Sequence, residues 1–98
     1  MSQLVNLWDT HREAEWPRFS SPHQGALMTL DTVISGCVTY HLESPDGLDS
    51  QRLALLDHCL TELDGLLPEL PDEARTYFHQ LWELAAVLRR QTHGPHRP

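Results

Sequence analysis

A chain of 98 residues is long enough for one domain whose core needs no disulfide or metal staple. Apolar residues make up 40% and charged residues 21%, which excludes a disordered chain, and leucine so outnumbers the single isoleucine, Ile34, that helix is favoured over sheet. A net charge of −7 without any lysine excludes the basic footprint on which general binding to nucleic acids or anionic membranes depends.

Taken in chain order, Ser2 is a plausible N-cap for a first helix running to Glu15 or Trp16, with Leu4, Leu7, Trp8, His11 and Ala14 on one side and Pro17 as its stop. Trp8, Trp16 and Phe19 lie close together, either as anchors of this helix on the rest of the bundle or as an exposed binding patch. The composition from Arg18 to Ala26 reads as a loop. A second helix follows from Leu27 to Leu42, with Leu27, Leu30, Val33, Ile34, Cys37, Val38 and His41 on its apolar arc and Asp31 at the margin. Gly36 leaves a low spot on it where another helix could approach closely. Ser44, Pro45, Asp46 and Gly47 make a turn, and Asp49 or Ser50 caps the next helix.

The strongest signal is the stripe from Leu53 to Leu88. Apolar residues recur at Leu53, Leu56, Leu60, Leu63, Leu67, Leu70, Ala74, Tyr77, Leu81, Leu84 and Leu88, in steps of three and four that keep one side of a helix apolar. Pro68 and Pro71 break it, because proline removes a backbone donor and pushes the preceding residue out of the α region. The third helix therefore spans Asp49 to Leu66 or Leu67, ending near Asp64 if Gly65 is its left-handed cap. The fourth starts at Pro71, with Asp72 and Glu73 suited to its N-terminal dipole and Arg89 and Arg90 to its C-terminus. The expected fold is all-α, an up-down four-helix bundle over residues 1–91 closed by a C-terminal helical hairpin, with a disordered tail at 92–98.

Charge is unevenly placed. Between Glu43 and Glu73 nine acids face one base, Arg52, so the middle of the chain suits a basic protein partner better than an acidic one. Cys37 and Cys59 each fall on an apolar side, as two reduced core thiols would. Without a signal-peptide pattern or a long apolar run, a soluble cytoplasmic protein without membrane attachment is expected.

Seven histidines invite a metal site. His11 with Glu15, His58 with Glu62 and His79 with Glu83 are each four apart, within reach on one helical face. The last two pairs flank the apolar stripe rather than lying in it, and the Glu-x-x-His pattern of di-metal bundles is absent, so solvated ion pairs are expected. His41, centred on an apolar arc, reads as a core histidine satisfied by a hydrogen bond, and Asp31 as a partner for another helix end. No serine elbow, phosphate-binding glycine loop, Cys-x-x-Cys or calcium loop occurs.

Two functions follow. The first is a non-catalytic interaction module without cofactor or metal, pairing with itself as a homodimer or neutralising a basic partner in the manner of an immunity protein or antitoxin. Its contact residues would be Trp8, Trp16, Phe19 and Trp82, with Asp57, Glu62 and Asp64 supplying negative charge. The alternative is a small metal-binding or hydrolytic bundle using the histidines and carboxylates. Self-association is expected from the width of the third and fourth apolar faces, which carry Leu55, Cys59, Leu66, Phe78, Trp82 and Ala85 beyond the main stripe.

Overall fold

A computed structural model describes residues 2–44 and 46–91. Four helices, α1 (Gln3–Glu13), α2 (Gln24–Glu43), α3 (Ser50–Leu66) and α4 (Asp72–Gln91), form an all-α bundle, with no strand among the described residues. α2, α3 and α4 pack against one another, and α1 lies chiefly on α4. The tail expected at 92–98 lies outside the described residues, as does Pro45.

Local chemistry sets the boundaries. Ser2 caps α1 by accepting from Val5 N–H, and Asp49 caps α3 by accepting from Arg52 N–H at 2.8 Å. α1 stops at Glu13, short of the expected Glu15 or Trp16. Ala14 is already extended, and the chain from there to Pro17 carries Trp16 onto α4 instead of prolonging the helix. α2 begins at Gln24, three residues before the expected Leu27, so Gln24, Gly25 and Ala26 are helical despite their loop-like composition. α3 continues through Gly65 to Leu66, and the correction has a backbone cause: Gly65 is not left-handed, and the helix tightens into a 3₁₀ turn over Leu67–Glu69. Pro71 stands just before α4 and not within it, its carbonyl accepting from the N–H groups of Ala74 and Arg75.

The apolar stripe does form the core. Leu56, Leu63, Ala74, Leu81, Leu84 and Leu88 are fully buried, whereas Leu60, Leu67 and Tyr77 are half-buried at its edge. Leu27, Leu30, Ile34 and Val38 of α2 close it from one side and Leu4 of α1 from another. Cys37 and Cys59 are both buried and unbonded to each other, and burial first, then the neighbouring Cys37, pushes the Cys59 thiol up to about 11. Of the wide apolar faces expected to drive self-association, Cys59, Phe78 and Ala85 are covered within the single chain, and only Leu55 is substantially exposed. The missing cover comes from α2 and from Trp16 and Phe19, whose rings lie on Phe78.

His41 is half-buried and lies against Gly47, whose φ of 76° marks the left-handed turn residue before α3. Its Nδ1 has no hydrogen-bond partner among the described residues, contrary to the satisfied core histidine expected there.

Leu81→Ala should cost about 2–5 kcal/mol in urea denaturation, and Leu60→Ala distinctly less because Leu60 is only partly buried, at the edge of the core. Equal losses at the two positions would contradict this packing.

Candidate functional site

The one buried polar residue among those described is His11, on α1. Its Nε2 donates to Asp31 Oδ1 of α2 at 2.8 Å. Tyr77 of α4 donates its hydroxyl to Asp31 Oδ2 at 2.5 Å, and Ser35 adds a third bond to Oδ1 at 3.2 Å. A single carboxylate thus holds α1, α2 and α4 together. Burial works to raise the Asp31 pKa, but the hydrogen bonds from His11 and Tyr77, the charge of His11 and the Ser35 bond outweigh it, leaving Asp31 below the usual carboxylate value. The Tyr77 hydroxyl is raised in turn, by burial first and then by Asp31.

Because the carboxylate accepts, Nε2 of His11 carries a proton. The other nitrogen, Nδ1, is buried without a partner among the described residues. A general base must reach the proton that it abstracts; this ring is 6% exposed and its Nε2 is engaged by Asp31. What the arrangement can do is position: it fixes an eleven-residue helix, too short to be stable alone.

Beside this node lies an aromatic cluster. Trp16 meets Phe78 and Tyr77 edge to face, with ring centroids 5.3 and 5.6 Å away, and Phe19 packs on Trp16 and Phe78. Trp16 nevertheless stays 37% exposed. Grooves open on both of its sides. One, of about 460 Å³, is lined by Trp16, Met28, Asp31, Thr32 and Ser35. The other, of about 430 Å³, has Glu15, Glu73, Arg18 and Tyr77 among its walls.

The residues grouped as one surface by sequence fall into separate places. Trp16 and Phe19 share the cluster, while Trp8 lies further along α1, stacked on His11 with the Arg12 guanidinium over its ring. Trp82 is half-buried on α4 and stacked on His79. With Leu60, Asp64 and Arg89 it lines a third groove, between α3 and α4, of about 380 Å³. Asp57 bridges the same two helices, accepting from Arg89 Nε at 2.6 Å. Glu62 pairs with His58 at 3.4 Å along exposed α3, as expected of a solvated i,i+4 pair. The expected His11–Glu15 pair does not form, because α1 ends before Glu15 and Asp31 takes the histidine instead. Among the described residues no three His, Cys, Asp or Glu side chains come together as a metal site requires. No helix among them is long and apolar enough to cross a membrane.

Sequence reasoning placed Asp31 as a helix-end partner but missed what it joins. The only available signal was a lone carboxylate on an otherwise uncharged stretch of α2. Comparison with protein-family models, curated proteins and solved structures finds no match, so the functional reading rests on this geometry.

Removing the carboxylate with Asp31→Ala strands the polar groups of His11 and Tyr77 and should cost about 2–3 kcal/mol, measured by urea denaturation at neutral pH. Acid titration gives the sign independently. The folded Asp31 holds its charge below the ordinary value of 3.8, so the unfolded chain takes up its proton first and stability falls as the pH drops below about 4. Asp31→Asn should flatten that part of the acid limb, and an unchanged limb would show that the node is not coupled to folding.

Proposed function

We propose that the protein is a non-catalytic interaction module of the cytoplasm that binds a basic protein partner at the surface around Trp16. The observation that carries this reading is a tryptophan locked edge to face on two rings yet exposed between two grooves. A partner meeting such a ring gains contact area without having to order it first, which is the property of interface anchors. Glu15 and Glu73 place carboxylates where an arginine or lysine lying over the indole would need them. Arg18 is the single base in these walls, so the balance favours a cationic partner.

Neutralising a basic protein, as immunity proteins and antitoxins do, is one concrete form of this role. The non-catalytic reading is supported by the enclosure of His11 and by the engagement of Asp31 and Tyr77 with each other. Nor do three His, Cys, Asp or Glu side chains gather among the described residues, as the metal-binding alternative would favour.

Affinity capture from extract of the native host, run side by side on wild type, Trp16→Ala and Glu73→Arg, tests the proposal. Wild type should retain a basic protein that both variants lose, with unchanged helical circular dichroism in each. Glu73 is exposed, so its reversal leaves the core untouched. A partner retained equally by both variants would place the binding surface elsewhere.

A further inference from the structure

The two grooves beside Trp16 differ in chemistry, and the difference lies in how their carboxylates are engaged. Trp16 is the one residue that lines both. On one side Glu15 and Glu73 are exposed, and their carboxylates take part in no ion pair or hydrogen bond among the described residues. Arg18 is the one base in the same walls, so an excess of negative charge remains there. An unpaired carboxylate offers its full attraction to an incoming cation, because no internal partner has to be given up first.

The groove on the other side, walled by Met28, Asp31, Thr32 and Ser35, has its polar groups already engaged. Three donors of the chain hold the Asp31 oxygens. One of them is the Ser35 hydroxyl, and the Thr32 hydroxyl donates back to the carbonyl of Met28. A polar side chain entering here would give up its water for few new bonds, whereas an apolar one has none to lose. Met28 stands in this wall 56% exposed, and its unbranched thioether side chain can close over whatever apolar shape arrives.

We infer that the partner's binding segment is bipartite: a basic side chain lies beside the Trp16 indole against Glu15 and Glu73, and an apolar side chain of the same segment enters the Met28 groove. This rests on the basic-partner reading and adds a second half to the motif. With the indole as the common wall, the two side chains must leave one face of the partner as near neighbours. That is the relation of residues i and i+2 in an extended segment, about 7 Å apart, or of i and i+4 on a helix, about 6 Å apart. Charge alone would draw any cationic surface to a chain of net charge −7. The apolar half restricts binding to particular basic segments, since burying one such side chain shifts affinity by roughly tenfold or more.

Selection of a random linear peptide library on the immobilised full chain, followed by calorimetric titration of the selected peptides, tests this. The enriched sequences should carry Arg or Lys together with Leu, Met or Phe at one of those spacings, and replacing that apolar residue by Ser should weaken binding roughly tenfold. Two variants of the chain separate the ways of failing. Glu73→Arg should weaken every selected peptide. Met28→Glu is diagnostic because it adds a carboxylate: recognition by charge alone would tighten, whereas loss of an apolar groove weakens binding, again roughly tenfold. Met28 is exposed, so its circular dichroism should not change, and Thr32→Glu in the same wall gives the same reading should Met28→Glu lose helical signal. If Glu73→Arg weakens binding while Met28→Glu leaves it equal or tighter, or if the enriched peptides are basic without the apolar neighbour, the bipartite motif is overturned and the basic-partner reading stands. If the enriched peptides carry no basic residue, or Glu73→Arg leaves them bound, both fall.

Discussion

The arrangement of this bundle depends on one carboxylate. Asp31 sits where α1, α2 and α4 converge and accepts from a residue of each. Without it, α1 would be an eleven-residue helix with Leu4 as its one fully buried apolar side chain, a weak claim to a fixed position. Hydrogen bonds to a charged acceptor are stronger than neutral ones, and here they replace the apolar area that α1 lacks. The arrangement carries a cost, because an acid is drawn partly out of water. Three donors offset that cost, and the net lowering of the Asp31 pKa shows that they more than balance it.

The same convergence sets the position of Trp16. Once His11 is bound to Asp31, the chain leaving α1 has a fixed starting point, and Pro17 steers it away from the helical path. Trp16 and Phe19 then fall on Phe78, the largest fully buried side chain, and complete a core that α2 and α3 leave open at that end. Anchor and exposed patch, which compete as readings of the sequence, are two faces of one residue. The ring edge facing Phe78 is core, and the rest borders the grooves.

The helices were legible because their signals are local. Apolar spacing, Ser2 and Asp49 as caps, and the two prolines before α4 each act within a few residues, and all four helices lie where these signals put them. The boundaries of α1 and α2 depart from these signals. α1 stops early because Trp16 is needed on α4, and α2 starts early although Gln24, Gly25 and Ala26 compose a loop. The candidate surface was legible only in part. Trp16 and Phe19 belong together, but Trp82 sits on α4 beside His79, and Asp57 is committed to Arg89 across the hairpin. Of the His11–Asp31–Tyr77 node, only the part of Asp31 as a helix-end partner was legible. The node joins residues 20 and 46 positions apart, and the i,i+4 rule pointed His11 towards Glu15 instead.

Histidine, the residue type that most invited a catalytic reading, turns out to be spread over separate tasks. His11 ties helices together, His23 reaches Glu69 across the surface, His58 pairs with Glu62 along α3, and His79 stacks on Trp82. Each has a different partner, and among the described residues no three His, Cys, Asp or Glu side chains come together as a metal site. Asp31, by contrast, is where separate parts of the chain do meet: its oxygens accept from His11, Ser35 and Tyr77, and these charge-assisted bonds position α1 on the bundle.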